Sequence, residues 1–309
     1  MTDGPIAGMQ DREAATRQTH VLVTGAAGML GSQVLLCVPD GVNTVGTDLK
    51  DAPGVDASGV DLADEEAVQA LFTSHGPFTG VVHCAAYTAV DDAESNEELA
   101  HRINATACEV LAKCCAQEGV VLLVVSTDFV FDGQATEPYK EEHPTRPLSA
   151  YGRTKLAGEL AAFAAHPAGT RVVRTQWLYG PRGNHFPGTM LRLAGERNEL
   201  KVVEDQIGSP TSSLELAPAL WDVLRAPLVG IFHAACEGQA SWFEVAKATL
   251  DYAGVEGVDV QPCSSEAFPR PAPRPAYSVL DCGRLTALRG RPLLHWQDAL
   301  KTYLGSEDS

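Results

Sequence analysis

Short apolar runs alternate with amphipathic segments through the first half of the chain. The runs at residues 21–24, 80–86 and 119–128 are rich in valine and leucine, which is typical of strands buried in a parallel sheet. Between them, residues 29–36 and 64–72 place apolar side chains at helical spacing. The alternation predicts an α/β fold in which helices cover both faces of a doubly wound parallel sheet of Rossmann type.

Three glycines form the turn between the first predicted strand and the first predicted helix. Gly25 permits a tight turn, Gly28 leaves room for a pyrophosphate, and Gly31 lets the helix pack closely on the strand. The start of that helix directs free backbone N–H groups at a phosphate. Asp48 lies 20 residues after Gly28, where a carboxylate that binds ribose is expected, although a solvated loop acid would give the same pattern.

Polar side chains close the most apolar strand. Ser126, Thr127 and Asp128 end it, and ligands of parallel sheets bind beyond this edge. Tyr151 and Lys155 follow on a predicted helix and share one of its faces, because they are four residues apart. Ser126 takes the place of Thr127 if the strand register shifts by one residue.

Two further features adjoin this edge. Small residues at 84–86 let a flat cofactor lie against the backbone, or serve only strand-end packing. A helix is predicted over residues 95–118, with a capping box from Ser95 to Glu98. Asn104 lies inside it, where an amide lowers helix propensity, so Asn104 is either functional or faces the surface.

The regular alternation ends at Gln176. Turn-rich sequence follows, with helices predicted over residues 189–197 and 214–224, a strand over residues 229–233, and a helix capped at Ser241.

This change of pattern predicts the domain organisation. Residues 20–176 form a dinucleotide-binding domain to which residues 205–235 return. Residues 177–204 and 236–309 form a smaller substrate-binding lobe, and residues 1–19 form a flexible tail.

Composition narrows the ligand classes. The 309-residue chain has a net charge of −17, which argues against nucleic acid and anionic membranes but not against an anionic small molecule held by clustered arginines. Eight cysteines without a CxxC pair predict a reducing, cytosolic compartment and no structural zinc. No apolar run reaches the roughly 18 residues of a membrane span.

Five sequence blocks, in this order, resemble the extended short-chain dehydrogenase/reductase family. They are STDFVFDG at 126–133, YGRTKLAGE at 151–159, RTQWLYG at 174–180, DQIGSPT at 205–211, and RP followed by SVLD within 274–281. The resemblance covers nearly everything from residue 20 to about residue 283. It implies an enzyme that uses NADH or NADPH to reduce the 4-keto group of a nucleotide-activated 6-deoxysugar. A magnesium requirement and a homodimer stay open.

Reduction of a ketone by hydride requires a proton for the developing alkoxide. Tyr151 supplies it if its pKa, about 10 in water, is lowered, and the Lys155 ammonium lowers that pKa by favouring the phenolate. Thr127 holds the carbonyl oxygen with a hydrogen bond. The resemblance makes Asn104 a relay residue that positions a water or a backbone group. An ordinary half-buried tyrosine is the alternative interpretation of Tyr151.

The other binding residues follow from the fold and the resemblance. The predicted cofactor-binding residues are Gly25, Ala27, Gly28, Met29, Leu30, Asp48, Lys50, Asp61, Leu62, Cys84, Ala85, Ala86, Tyr87, Ser126, Tyr151 and Lys155. The predicted substrate-binding residues are Thr127, Asp128, Phe129, Trp177, Asn184, Phe186, Arg192, Gln206 and Arg274. For each arginine, plain surface solvation is the alternative.

Two positions depart from the resemblance, and two alternative functions stay open. Phe129 stands where a tyrosine is usual, and Asp92 where a lysine is usual. Both bear on the exact substrate and leave the catalytic groups in place.

One alternative function is a non-catalytic dinucleotide-binding regulatory subunit that resembles the β subunit of methionine adenosyltransferase. The other is a reductase or epimerase that acts on another nucleotide sugar.

Overall fold

The computed structural model describes residues 19–306. Its strands are β1 (Thr19–Thr24), β2 (Val42–Asp48), β3 (Ala57–Ser58), β4 (Gly80–His83), β5 (Val121–Thr127), β6 (Thr170–Thr175), β7 (Leu178–Tyr179), β8 (Glu199–Val203), β9 (Ile207–Gly208), β10 (Thr211–Ser212), β11 (Gly230–His233), β12 (Ala240–Ser241) and β13 (Asp259–Cys263). Its helices are α1 (Met29–Leu36), α2 (Glu65–His75), α3 (Val90–Ala93), α4 (Glu97–His101), α5 (Ala107–Glu118), α6 (Ala150–Ala165), α7 (Phe186–Ala194), α8 (Ser213–Arg225), α9 (Trp242–Tyr252), α10 (Gly283–Arg289) and α11 (Trp296–Leu304).

Seven parallel strands form the central sheet, in the order β11-β6-β5-β4-β1-β2-β3. The order reverses between β1 and β4, which opens a crevice at the carboxyl ends of these strands. One face packs against α1 and α8, and the other against α2, α5 and α6. The doubly wound parallel sheet predicted from the sequence is therefore confirmed, because apolar strands need cover on both faces.

The second half of the chain returns to this sheet and then leaves it. β11 pairs with β6, and the Trp221 indole on α8 donates to the Val34 carbonyl on α1 at 3.1 Å. β8 and β13 form a separate parallel pair that packs with α7 and α9. The predicted division into a domain and a lobe stays a prediction. Residues 1–18 of the predicted tail lie outside the described residues.

The helix predicted over residues 95–118 is interrupted. A π-helical turn, Arg102–Thr106, separates α4 from α5. The capping box is absent, because Ser95 Oγ donates to the Asp92 carbonyl at 3.1 Å and Asn96 occupies the capping position without a side-chain bond. Asn104 lies in the π turn and is buried, so it does not face the surface.

The helix predicted over residues 189–197 starts three residues earlier than expected. His185 caps α7 through Nδ1, which accepts from the Gly188 N–H at 3.1 Å, and Pro187 suits the first turn. The predicted cap at Ser241 is confirmed as a full capping box, in which Ser241 Oγ accepts from the Glu244 N–H at 3.1 Å.

Candidate active site

A cavity of about 650 Å³ lies at the carboxyl ends of β1, β2, β4 and β5. We call it the first cavity. Its wall contains the glycine turn, the small residues after β4, the polar end of β5 and one face of α6. The lining residues used below are Gly25, Gly28, Asp48, Asp61, Leu62, His83, Cys84, Ala85, Ala86, Tyr87, Ser126, Thr127, Asp128, Tyr151 and Lys155, together with Met29, Leu30 and Asn184.

The glycine turn leaves space that side chains would fill. Gly25 has φ +66°, and a Cβ there would lie 2.7 Å from the Ala85 nitrogen, so both conformation and space require glycine. A Cβ on Gly31 would lie 2.1 Å from the Gly25 carbonyl oxygen. Gly28 has ordinary extended backbone, and a Cβ there would meet only the Gly25 carbonyl oxygen, at 3.1 Å. A side chain at Gly28 would thus occupy cavity space at the start of α1 and would also require a small shift of the Gly25 carbonyl.

Asp48 ends β2 with both carboxylate oxygens bound to backbone. Oδ2 accepts from the Ala27 N–H and Oδ1 from the Lys50 N–H, each at 3.1 Å. Neither Ala27 nor Lys50 lines the cavity; they support Asp48 instead. Asp61 lines the same end and pairs with the exposed Arg102, whose guanidinium lowers the pKa of the Asp61 carboxyl.

Asn104 holds the loop after β4. Its Oδ1 accepts from the Tyr87 N–H at 2.8 Å, and its Nδ2 donates to the Tyr87 carbonyl at 3.2 Å and to Thr154 Oγ1 at 3.1 Å. Asn104 is not among the residues that line the cavity. Its amide therefore fixes the backbone beside the site to α6. Tyr87 in turn donates its hydroxyl proton to Asp92, one of the two positions that depart from the resemblance.

The three residues expected to carry the chemistry meet in one wall. Lys155 is 4% exposed, and its ammonium donates to the Val125 carbonyl at 2.7 Å. Burial lowers the pKa of Lys155 and raises the pKa of Tyr151 to about 12, with the Asp128 carboxylate adding to the increase. The expected lowering of the Tyr151 pKa by Lys155 is absent, because the ammonium is turned toward β5. Tyr151 is consequently a neutral phenol near pH 7 that keeps its proton.

A buried ion pair lies beneath this wall. Glu159, one turn after Lys155, accepts from Arg174 at 2.6 and 3.0 Å, and both side chains are 2% exposed. Ser126 Oγ donates its proton to Glu159 at 2.5 Å, although Ser126 also lines the cavity. The Ser126 proton is therefore committed to Glu159 in this structure.

A second cavity of about 780 Å³ adjoins the first. Its wall includes Phe186, Arg197, Lys201, Gln206, Trp242, Phe268, Arg270 and Arg274. The side chains common to both cavities are Val90, Phe129 and Trp177. The boundary between the cavities is thus formed by apolar side chains, whereas four cationic side chains and one carboxylate, Glu199, line the second cavity.

Aromatic stacking shapes the boundary between the cavities. The Trp177 and Trp242 rings stack with centroids 3.5 Å apart, and Trp177 has φ +47°, a rare conformation for a bulky residue. Gln206 accepts from the Trp242 indole N–H at 3.2 Å and donates to Ser265 Oγ at 2.8 Å. The stack is therefore held in place by a side chain that itself lines the second cavity.

The two predicted arginines have different surroundings. Arg274 lines the second cavity and donates to the Asp91 carboxylate, with Nη2 at 2.9 Å, which lowers the pKa of Asp91. Arg192 lies outside both cavities and pairs with Glu196 on the exposed side of α7 at 2.9 Å. The structure therefore does not bring Arg192 to the site.

Sequence reasoning missed part of the second cavity. Trp242, Arg197, Lys201 and Arg270 line it without having been selected. Arg270 lies in the proline-rich segment beside Arg274, which was the available signal. The other three come from α9, β8 and the segment before β8, and no local motif marks them.

Neither a metal-binding cluster nor a membrane-spanning helix occurs within residues 19–306. No group of three or more His, Cys, Asp or Glu side chains that could hold a metal ion occurs in this part of the chain. None of the helices described is long and apolar enough to cross a membrane.

Known proteins are similar to this chain over most of its length. The family model described as RmlD substrate binding domain matches residues 19–308. A dTDP-4-dehydrorhamnose reductase from Streptomyces griseus is 42% identical over 289 residues, which cover 90% of this chain and 91% of that protein. A probable dTDP-4,6-dihydroxy-2-methyloxan-3-one 4-ketoreductase from Streptomyces antibioticus is 42% identical, with 91% and 92% covered.

A solved structure has the same fold. The dTDP-4-dehydrorhamnose reductase from Bacillus anthracis str. Ames, in complex with NADP, superposes with a TM-score of 0.86 at 36% identity. The match covers 93% of this chain and 98% of that chain.

Proposed function

This chain belongs to the family of the RmlD substrate binding domain, and on that premise we propose that it is an NAD(P)H-dependent reductase of a dTDP-4-keto-6-deoxysugar. The substrate we favour is dTDP-4-dehydro-L-rhamnose, with dTDP-L-rhamnose as product. The observation that carries the proposal is the placement of Thr127, Tyr151 and Lys155 in one cavity wall, beside a second cavity rich in cations.

The first cavity fits a dinucleotide. The bare backbone at Gly28 and the start of α1 suit a pyrophosphate, and Asp48 suits a ribose. The small side chains of Cys84, Ala85 and Ala86 leave a flat wall for a ring. A nicotinamide dinucleotide bound there supplies the hydride for reduction of the ketone carbon. Asp48 also disfavours a 2′-phosphate, so we expect NADH to be used at least as well as NADPH.

In this proposal Tyr151 and Thr127 both interact with the ketone oxygen of the substrate. As the carbon accepts hydride, negative charge develops on the oxygen, and Tyr151 transfers its proton there to give a secondary alcohol. Thr127 donates a hydrogen bond to the same oxygen, which strengthens as the charge grows. The high pKa of free Tyr151 keeps the proton available. Lys155 would favour the phenolate that remains once its ammonium turns from the Val125 carbonyl toward Tyr151.

The second cavity suits the nucleotide diphosphate. Four cationic side chains line this one cavity although the whole chain has a net charge of −17: Arg197, Lys201, Arg270 and Arg274. An arginine guanidinium can donate two hydrogen bonds to one phosphate group. Trp177 and Phe129 line both cavities and offer apolar surface to a deoxygenated part of the sugar. A homodimer and a magnesium requirement stay predictions.

The test is a reduction assay with both cofactors and a panel of 4-keto sugar nucleotides. We expect oxidation of NADH or NADPH with dTDP-4-dehydro-L-rhamnose and formation of dTDP-L-rhamnose. Gly28→Val should abolish dinucleotide binding in calorimetry by filling the pyrophosphate space. Gly195→Ala is the matched control, because Gly195 is exposed at the end of α7 and a Cβ there has room.

Other outcomes separate the alternative functions. Dinucleotide binding without reduction of any panel member would favour the regulatory-subunit interpretation. Turnover restricted to another nucleotide sugar would keep the reductase and change its substrate. Unchanged dinucleotide affinity in folded Gly28→Val would remove the cofactor assignment.

A further inference from the structure

The Thr127 hydroxyl has a single proton to donate, and the structure already gives that proton an acceptor. Its Oγ1 donates to Asp128 Oδ1 at 3.0 Å and accepts from the Phe129 N–H at 3.2 Å. Tyr151 is a further hydrogen-bond neighbour. A hydroxyl has a single proton, and the proposed function requires that proton for the ketone oxygen. The structure commits it to Asp128.

Asp128 and the ketone oxygen compete for the Thr127 proton, and the outcome depends on the charge of Asp128. An ionised carboxylate is a stronger acceptor than a ketone oxygen, because hydrogen bonds to charged groups contribute roughly twice as much as neutral ones. With Asp128 ionised, Thr127 therefore offers only lone pairs to the cavity. With Asp128 protonated, the carboxyl donates to Thr127 Oγ1, and the Thr127 proton is free to turn to the ketone.

The surroundings of Asp128 make protonation accessible. The side chain is 1% exposed, it lines the first cavity, and Oδ2 has no partner among residues 19–306. Burial raises the pKa of Asp128 to about 6. Hydrogen bonds from the Ser278 and Thr127 hydroxyls and from nearby backbone N–H groups favour the charged form and partly offset this increase. Tyr151 on α6 is the titratable group that faces Asp128, and Ser278 comes from the loop after Arg274.

We propose that Asp128 is a positioning residue whose protonation decides whether the Thr127 hydroxyl donates to the ketone oxygen of the substrate. The inference rests on the proposed function and assigns Asp128 a role through Thr127 rather than a direct contact. It predicts faster hydride transfer when Asp128 is neutral.

The experiment measures single-turnover hydride transfer, with enzyme saturated in cofactor, from about pH 5 to about pH 8. In the wild type we expect the rate constant to fall about 10-fold as pH rises through the Asp128 ionisation. Asp128→Asn is neutral at every pH and should be flat over this range. The control is Asp132→Asn. The Asp132 carboxylate accepts from the Tyr139 hydroxyl away from the first cavity, so this variant should keep the wild-type profile.

Conservative changes at Thr127 add a second readout. Thr127→Ser keeps the hydroxyl and should keep the pH dependence, whereas Thr127→Val should lose both rate and pH dependence. A purely structural role for Asp128 would lower the Asp128→Asn rate at all pH values and leave the shape of the profile unchanged. Parallel profiles for wild type and Asp128→Asn would overturn the proposal.

A titration independent of turnover completes the test. In protein labelled with ¹³C at aspartate carboxyls, Thr127→Val removes a donor to Asp128, so the Asp128 pKa should rise by at least about half a unit. An unchanged Asp128 pKa would refute the Thr127–Asp128 bond, even if Asp128→Asn does not fold. Failure of the wild type to reduce any 4-keto sugar nucleotide would count against the proposed function. The titration would still test the hydrogen bond between Thr127 and Asp128, because it does not depend on turnover.

Discussion

The two cavities are opposite in charge and in construction. The first is lined by three aspartates, Asp48, Asp61 and Asp128, and one lysine, Lys155. The second is lined by four cations and a single glutamate. A diphosphate is therefore favoured in the second cavity by side-chain charge. In the first, where three aspartates outnumber one lysine, a phosphate is favoured mainly by the backbone N–H groups at the start of α1.

The difference in construction explains the difference in charge. The first cavity sits where parallel strands end, so backbone geometry creates the binding space and few side chains are needed. The second is assembled from α3, the segments after β5 and β6, the region from α7 to β8, α9 and the loop before Ser278. Long side chains from these separate segments complete the wall of the second cavity, and arginine has the longest of these side chains. The first cavity thus depends mainly on where parallel strands end, and the second on how separate helices, strands and loops pack together.

The largest expected effect comes from removing the proposed proton donor of the first cavity, Tyr151. Tyr151→Phe keeps the ring contact with Phe129, whose centroid is 5.5 Å away, and removes only the hydroxyl. We expect single-turnover hydride transfer to fall at least about 100-fold, with dinucleotide affinity nearly unchanged. Tyr252→Phe, on α9 outside both cavities, is the control. A wild-type rate in Tyr151→Phe would show that the first cavity does not hold the donor.

An intermediate effect is expected in the second cavity. Arg274→Met should raise KM for the sugar nucleotide by about 10- to 100-fold, the value of a lost charged hydrogen bond, with little change in dinucleotide affinity. Arg192→Met removes an arginine paired on the surface and should leave both constants unchanged. Steady-state kinetics and thermal unfolding on both variants check this. Equal effects of the two substitutions would mean that cavity charge does not select the substrate.

The smallest effect concerns the scaffold of the second cavity. Ser241 caps α9, the helix that begins with Trp242, and Ser241→Ala should lower the free energy of unfolding by about 1 kcal/mol. Ser264→Ala is the control, because Ser264 precedes a short helical turn without a side-chain cap bond. Urea unfolding measures both. If Ser264→Ala costs as much, the capping box contributes nothing specific to α9.

The sequence by itself determined the regular part of this protein. Alternating strand and helix periodicity predicted the parallel sheet, and the glycine turn, Thr127, Tyr151 and Lys155 could be located from local spacing. These features are readable because the carboxyl ends of parallel strands always share one edge. A residue at a strand end or one turn along a helix is placed by its immediate neighbours in the chain.

Only the tertiary structure decided what surrounds those residues. It turned Lys155 toward Val125, committed the Thr127 proton to Asp128, and buried Asn104 against Tyr87. It also excluded Arg192 from the second cavity and brought Trp242 against Trp177. Each of these depends on contacts between segments distant in sequence and on burial, which shifts pKa values and hydrogen-bond partners. No local pattern carries that information, because burial is a property of the packed chain.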